Sequence, residues 1–403
     1  MQDTKHKAYF LCMKRLIWAL CLLNLFPLHA SAAAQEAEKS YNHFVQLGYQ
    51  PGFMLQSNAF VKGANATGEP IKHYYAGRLE FGWQTTGAEP WHQIWNYPSF
   101  GIGYYTVDYL NDDEIGNPKA IYGFVNLPVK RWDRWVFSIR PGFGLSFNWK
   151  PFDPANNPNN IAIGNFKAAY IDLAADFSYY LSPHWDVAFS ITGTHFSNGG
   201  TRKPNSGFNQ IGPMVQLRYN LEKERPGFKV WDIPEYKKRH EAMYSISYGT
   251  RNVQVDPQDP ALADKYGRVD FTVITLSAAW LTQSTYKSKY GFGIDVVHDA
   301  ATEGELDAGN GDVQTVDLPT IDEMRIGLYG RYEYVIHDLS LFGDVGYTIV
   351  QKGFDNQLPR LYQRIGFKYY FREKFFVGLS VRVKNFNSAD YLEWTVGYRI
   401  PKR

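Results

Sequence analysis

The chain has 403 residues and a formal net charge of +2, and 44% of its residues are hydrophobic and 17% aromatic. Its mean hydropathy is −0.38. So aromatic a chain can bury ample apolar surface, which excludes a disordered polymer. Beyond the N-terminus no run of about 18–20 apolar residues predicts a membrane-spanning helix. A transmembrane β-barrel remains open, because its strands alternate apolar and polar residues and average to an unremarkable hydropathy.

Residues 1–34 have the pattern of a secretory signal peptide. Lys14 and Arg15 form a basic start, Leu16 to Leu28 are mostly apolar, and Ala30-Ser31-Ala32 suits cleavage after small residues. An uncleaved membrane anchor is the weaker alternative, because the apolar stretch is short and ends in small side chains. The pattern predicts export across the inner membrane.

Removal of this leader changes both the thiol content and the charge of the chain. Cys12 and Cys21 are the only cysteines, and both lie in the leader. Their loss excludes disulfides, thiol catalysis and Cys-ligated metal from the mature protein. The leader also holds four of the 42 Lys and Arg residues and one of the 40 acidic residues, which leaves a mature net charge of −1. Nothing in this balance predicts a nucleic-acid partner.

Between residues 35 and 221 the dominant pattern is the period-two alternation of β-strands. From Trp135 to Phe147 the odd positions are almost all apolar, and the even positions are mostly small or polar. Ile171–Tyr179 and Ala76–Gln84 repeat this alternation, with Asp, Arg or Glu on the second face. A soluble sandwich also alternates, but an aromatic-rich apolar face opposite a charged one favours a membrane barrel with a polar lumen. Eight strands are predicted near 43–50, 74–85, 98–108, 121–129, 133–148, 168–181, 185–197 and 209–221.

The lengths of the connections between these strands support a membrane barrel. Gaps after odd-numbered strands are long, whereas those after the fourth and sixth strands, at Lys130–Trp132 and Ser182–His184, are short. Outer-membrane barrels have long outer loops and short periplasmic turns. The gap at residues 86–97 is the exception, because it is long although it follows the second strand. The pattern predicts a periplasmic N-terminus and odd strands that run outward.

Residues 222–241 are rich in charge and are predicted to form a periplasmic linker to a second half, residues 242–403. Eight more strands are predicted there, near 243–250, 269–281, 288–298, 323–335, 339–350, 361–371, 374–387 and 391–400. Several residues of strands six and seven recur at a constant offset of 190, as Phe177 and Tyr179 do at Phe367 and Tyr369, which favours duplication over chance. We expect an all-β fold, a transmembrane antiparallel barrel of about 16 strands. One large barrel is slightly preferred to two tandem eight-stranded barrels, because duplicated hairpins readily merge into a wider sheet.

The candidate chemistry lies at the end of the seventh strand. His195 and Ser197 share the apolar, lipid-facing side with Trp185, and Asn209 has the same outward parity on strand eight. The ten steps from Trp185 to His195 span roughly 33 Å, or about 25 Å along the membrane normal, which puts the pair near the outer-leaflet interface. A nucleophilic Ser needs a base, and the base needs an orienting group. Taken one by one, such residues are usually interfacial polar groups; their combination on one face predicts a hydrolase site.

The segment from His195 to Asn209, with Asn198, Gly199 and Asn205 between them, resembles the signature of outer-membrane lipid A 3-O-deacylases, the PagL-like family whose bacterial homologues are commonly labelled acyloxyacyl hydrolases. The resemblance implies an eight-stranded barrel in the outer membrane of a Gram-negative bacterium. That barrel would remove an ester-linked acyl chain from the lipid A of lipopolysaccharide. It also implies that His195 is the general base and Ser197 the nucleophile, and that Asn198, Gly199 and Asn205 help to bind the oxyanion or position substrate. No cofactor or metal is expected.

The chain departs from that pattern in two respects. Asn209 stands where the deacylases carry a Glu, and a neutral amide stabilises imidazolium less well. A His-x-Ser pair followed by Asn at this distance also resembles outer-membrane phospholipase A, a calcium-dependent twelve-stranded barrel, which is the alternative. The extra second half has Asn385 and Asn387 at the positions of His195 and Ser197, so we predict that it is catalytically dead. A pore or surface-binding barrel with a vestigial site is the remaining rival, and the oligomeric state is left open.

Overall fold

A computed structural model describes residues 39–253, 269–304, 319–351 and 358–402 of the chain. The predicted signal peptide, residues 1–34, lies outside the described residues. Among the residues that are described, no helix has both the length and the apolar character needed to cross a membrane. The described chain consists mainly of antiparallel strands, with short helical stretches at residues 90–94 and 302–304, so the predicted all-β class is confirmed.

Sixteen strands, and the helix at residues 90–94, follow one another along the described chain. They are β1 (Tyr41–Met54), β2 (His73–Thr85), α1 (Pro90–Ile94), β3 (Ser99–Asp108), β4 (Gly116–Arg131), β5 (Trp135–Trp149), β6 (Lys167–Tyr180), β7 (Trp185–Ser197), β8 (Phe208–Asn220), β9 (Arg239–Arg251), β10 (Phe271–Gln283), β11 (Ser288–Asp299), β12 (Met324–Ile336), β13 (Leu339–Gln351), β14 (Leu361–Phe371), β15 (Phe375–Lys384) and β16 (Ser388–Lys402). The exceptional gap at 86–97 contains α1, whose first residue is a proline with φ preset for a helix.

The strands close into two separate barrels, β1–β8 and β9–β16. The preference for one sixteen-stranded barrel is therefore wrong. The edge of β8 is already paired with β1, for example Leu217 with Leu47, and β16 pairs with β9, for example Thr395 with Ser247. Once a first and a last strand have satisfied each other's N–H and C=O groups, no free edge remains for the neighbouring sheet.

Burial follows the predicted alternation closely. In β5 the even residues from Val136 to Gly142 are buried, whereas Trp135 is exposed and the other odd residues up to Phe143 are partly exposed. In β7 the exposed side chains of Phe189 and Ile191 alternate with the buried side chains of Ser190 and Thr192. Exposed apolar side chains recur in this way on most strands of both barrels, which is the outward band that a barrel presents to lipid.

Both lumens are filled by buried ion pairs. In the first barrel Arg140 bonds to Glu80, and its Nε lies 3.2 Å from Asp176. In the second barrel Arg364 lies 2.6 Å from Asp295 and 3.0 Å from Asp344. Eight strands leave an interior wide enough only for side chains. Filled lumens do not favour the rival interpretation of the protein as a pore.

Aromatic side chains and folded loops cover one end of the first barrel, the end where β7 finishes. The rings of Trp149 and Phe208 stack at 5.3 Å, and Tyr109 stacks on Phe208 at 5.4 Å. The loop before β6 bonds to the loop before β8, through Gly207 N donating to Ala162 O at 2.9 Å. These contacts hold the loops around the candidate site in place.

The two barrels touch each other at three levels. At the end that carries α1, Trp91 stacks on His337 with ring centres 4.9 Å apart. Between the outward faces of β5 and β14, Phe143 meets Phe367 edge-on at 5.1 Å. At the end that carries the candidate site, the loop after β7 packs on the start of β16. The last contact brings the second barrel next to the site.

Candidate functional site

The predicted site residues come together where β7 ends and β8 begins. His195 and Asn209 are directly paired residues of the β7–β8 ladder, and Ser197 pairs with Ala169 of β6 at the last position of β7. Antiparallel partners point to the same side of a sheet, so the His and Asn side chains meet without any loop rearrangement.

Asn209 holds the imidazole of His195. Asn209 Oδ1 lies 2.7 Å from His195 Nδ1, and Asn209 Nδ2 donates to Ser57 Oγ at 3.0 Å. A carbonyl oxygen can only accept, so Nδ1 carries the proton and Nε2 keeps its lone pair. This is the tautomer that a general base needs at Nε2. Sequence reasoning missed Ser57, which lies in the loop after β1 and carries no spacing signal.

Two donors converge on the hydroxyl of Ser197. Its Oγ accepts from Asn205 Nδ2 at 2.8 Å and from Gly199 N at 3.1 Å, and the residue is buried. Within the described site no hydrogen bond joins Ser197 to His195, although both lie on one face of β7. Catalytic hydrogen bonds are often long before substrate binds and tighten afterwards.

The loop between Ser197 and Asn205 is fixed by its own hydrogen bonds. Asn205 Oδ1 accepts from Asn198 N at 3.0 Å, and Asn198 Oδ1 accepts from Gly200 N at 3.0 Å. Gly199 and Gly200 have φ values of +67° and +80°, in the left-handed region that favours glycine. The turn holds the backbone N–H of Gly199 against Ser197 Oγ, and a fixed donor beside the nucleophile is what an oxyanion site requires.

Gly207 allows the chain to pass close to the imidazole. Its φ is +71°, and a Cβ at this position would lie 3.0 Å from His195 Cε1 and 2.9 Å from Phe196 O. Any side chain here would press on the ring. Asn58 Nδ2 also bonds to Gly207 O at 2.8 Å. Gly207 belongs to the recognised signature, but its packing role is visible only in three dimensions.

Two sequence families match the chain. Residues 76–218 match "Lipid A 3-O-deacylase (PagL)", and residues 240–403 match "Acyloxyacyl hydrolase, C-terminal domain". Between residues 76 and 403 the two matches leave out only residues 219–239. The chain belongs to the PagL family of lipid A 3-O-deacylases. Membership supports lipid A deacylation at the outer membrane, a hydrolase activity with lipid A as the substrate.

Known proteins outside these family matches are only distantly similar to the chain. No curated protein matches the chain. Among solved structures it is similar to CdiB from Acinetobacter baumannii, with 8% identity and a TM-score of 0.18 over 90% of this chain, and it spans only 60% of that one. It is also similar to OccK5 (OpdH) of Pseudomonas aeruginosa (11%, TM-score 0.22) and to a mutant Rh. blastica porin (13%, TM-score 0.20), each over 90% of this chain and 99% of that chain. Such low scores carry no argument about fold or activity.

The second barrel has no matching constellation at the corresponding place. β15 is predicted to reach residue 387 but ends at Lys384, and Asn385 lies in the tight turn before β16 with a φ of +48°. The counterparts of His195 and Ser197 therefore lie in a turn rather than on a strand face. That this barrel is catalytically dead stays a prediction. Within the described ranges, no cluster of three or more His, Cys, Asp or Glu side chains could hold a metal ion.

Proposed function

We propose that the protein is a serine esterase that hydrolyses an ester-linked acyl chain of lipid A through Ser197, His195 and Asn209. The observation that carries the proposal is the pairing of Asn209 with His195 on the outward face, beside a serine that already has two hydrogen-bond donors. A polar arrangement on a lipid-facing wall, with Ser197 buried and His195 and Asn209 half-buried, supports chemistry on a lipid.

In the first step, His195 Nε2 takes the proton from Ser197 Oγ as Oγ attacks the ester carbonyl carbon. Asn209 holds the ring and accepts from Nδ1–H while the ring is positively charged. The carbonyl oxygen becomes an oxyanion next to Oγ. It lies within reach of the N–H groups of Asn205 and Gly199, which bond to Oγ before substrate binds. Donors fixed before the reaction stabilise this charge without reorganising.

In the second step, the tetrahedral intermediate collapses and the sugar hydroxyl leaves with the proton from His195. An acyl ester on Ser197 remains. His195 then takes a proton from water, whose oxygen attacks the acyl carbon, and the free fatty acid departs while Ser197 Oγ regains its proton. Atoms and charges balance with water as the only co-substrate.

The proposal places the reaction at the outer leaflet. β7 begins at Trp185 after a short turn and ends at the site, under long loops, as outer ends of such barrels do. Lipopolysaccharide occupies the outer leaflet, so its acyl chains would lie against the apolar wall formed by Ile191 and Phe189. The ester at the head of each chain would then reach the level of Ser197.

Mass spectrometry of lipid A after incubation with purified protein tests the proposal. The wild type should release a fatty acid and lower the mass of lipid A by one acyl chain. Ser197→Ala should abolish release. Ser190→Ala is the matched control, because Ser190 lies on the lumen side of the same strand and receives a hydrogen bond from Gln216 at 2.8 Å. Full activity of Ser197→Ala would overturn the assignment.

A second candidate substrate is a glycerophospholipid, because an Asn at position 209, in place of Glu, resembles outer-membrane phospholipase A. The same variants incubated with phospholipid vesicles, with and without calcium, separate the two. Release from phospholipid that depends on Ser197 and rises with calcium, without release from lipid A, would replace the lipid A proposal. Conductance in planar bilayers with no esterase activity would instead support a pore.

A further inference from the structure

The start of β16 fills the space left by the two glycines of the loop after β7. A Cβ built on Gly199 would collide with the side chain of Leu392, and one on Gly200 would collide with the backbone carbonyl of Asp390. Both glycines are buried and both have positive φ. The loop that donates Gly199 N–H to Ser197 Oγ is therefore in contact with the second barrel.

The contacting segment of β16 is itself firmly held. Asp390 receives Arg251 Nη1 at 2.9 Å and Lys384 Nζ at 3.1 Å, and Arg251 also lies 2.6 Å from Asp299. Arg251 and both aspartates are buried, so these pairs are little screened by solvent. The side chain of Asp390, whose backbone carbonyl faces Gly200, is thus bound directly to β9 and β15 and through Arg251 to β11.

A second contact holds the far side of the same loop. Lys203 N approaches Asn252 Oδ1 at 3.5 Å, and Asn252 Nδ2 bonds to Val269 O at 2.7 Å. The loop between β7 and β8 therefore meets the second barrel at the end of β9 as well as at the start of β16. The loop's own hydrogen bonds set its turn, but Gly199 and Gly200 have no side chains, so the packing that holds the turn in place at these two positions comes from the residues around it.

We infer that the second barrel is a positioning element for the loop that follows Ser197, and that Leu392 is its principal contact. This inference rests on the proposed serine esterase function. Leu392 presses on Gly199, and Gly199 N–H is one of the donors beside Ser197. Loosening the contact lets the donor drift from the place where the oxyanion forms. A displacement of about 1 Å in such a group can lower the rate by as much as about a hundredfold.

The steady-state kinetics of Leu392→Ala on lipid A test this role in the full-length protein. We expect kcat to fall between about tenfold and about a hundredfold with KM unchanged, because the lost packing acts on a transition-state donor. Val396→Ala is the matched control, since Val396 points outward on the same strand, is 54% exposed and should leave kcat unchanged. An unchanged kcat in Leu392→Ala overturns the inference. A raised KM at constant kcat overturns it too, because Leu392 would then contact substrate instead.

A double-mutant cycle adds a readout that a general loss of stability would not reproduce. Gly199→Ala should lower kcat by collision with Leu392 and by strain at positive φ, and the loss should be smaller in the Leu392→Ala background. Losses that multiply independently would contradict the contact. Heat-modifiable migration on gels checks that each variant is folded. If Leu392→Ala does not insert, Leu392→Val removes less volume and should give a smaller fall in kcat at the same KM.

Ser197→Ala measured in the same series keeps the two proposals separate. Deacylation that does not depend on Ser197 overturns the proposed function. Deacylation that depends on Ser197 but is unaffected by Leu392→Ala overturns only the positioning role of the second barrel.

Discussion

Asn209 Oδ1 accepts a hydrogen bond from His195 Nδ1 at 2.7 Å across directly paired positions of β7 and β8. The sheet itself therefore sets the tautomer of the candidate base. This geometry predicts how activity should respond to changes at Asn209. Asn209→Ala leaves the imidazole without an orienting acceptor, and kcat on lipid A should fall, by no more than the about 10²–10⁴-fold that a general base contributes. Asn209→Glu supplies a carboxylate that also stabilises imidazolium, so its activity should equal or exceed that of the wild type. An inactive Asn209→Glu with an active Asn209→Ala would contradict this role.

Ser57 fixes Asn209 from the other side. Its Oγ accepts from Asn209 Nδ2 at 3.0 Å, so Ser57→Ala should leave the amide freer to rotate. One neutral hydrogen bond contributes about 0.5–1.5 kcal/mol, and kcat should fall about two- to tenfold. Thr67→Ala is the control, because Thr67 bonds to Asn65 within the same loop at 2.7 Å. Equal losses in both variants would point to the loop as a whole rather than to Asn209.

Replacing Gly207 should lower kcat more than replacing Ser57, although glycine carries no functional group. Alanine there meets His195 Cε1 at 3.0 Å and must adopt a φ of +71°. Gly207→Ala should lower kcat more than about tenfold by displacing the ring, and should lower the free energy of unfolding by roughly 1–3 kcal/mol. Gly193→Ala on β7 has nothing within 4 Å of its Cβ and should change neither quantity. Rates and denaturant midpoints of the two variants provide the comparison.

His92 in α1 should make the free energy of unfolding sensitive to acid. Burial lowers the pKa of His92 from 6.5 to about 4, and the neutral ring accepts from Gly87 N at 3.1 Å. The folded state favours the neutral ring of His92, so the stabilisation that this ring gives the folded state is complete above pH 6.5. It declines as the pH falls toward 4, because the unfolded chain binds the proton first.

The loss at pH 4 should be at most about 3 kcal/mol. Unfolding measured between pH 7 and 4 should show a weaker pH dependence in His92→Gln than in the wild type. The glutamine can still accept a hydrogen bond but does not titrate. Identical pH dependence in the two proteins would mean that other groups dominate.

The sequence predicts strand faces well because a period of two is a local property. The apolar odd positions of β5 and the common parity of His195, Ser197 and Asn209 follow from counting residues. The closure of the sheets could not be read in this way. Whether β8 pairs with β1 or continues into β9 depends on hydrogen bonds between residues more than 150 positions apart, such as Leu47 and Leu217, and no local pattern records that choice.

The residues that support the site could not be predicted from the sequence either. Ser57 and Leu392 lie far from β7 along the chain, on a loop and on another barrel, and only the folded chain brings them near the signature. The end of β15 at Lys384 differs from the predicted 387 because the next residue adopts a positive φ and starts a tight turn. Aromatic content there still suggests a strand. The positive φ values of Asn385 and Phe386 override that preference.

The position of Leu392 on β16 also links the candidate site to the closure of the second barrel. β16 is the last described strand along the chain, and its pairing with β9 closes the second barrel. The first barrel completes its own ring of hydrogen bonds without β16, and His195 and Asn209 are aligned within that ring. With Leu392 as its principal support, the loop after Ser197 gains its final form only when that last strand docks. Hydrolytic competence would then arrive late, after both rings are sealed in the membrane.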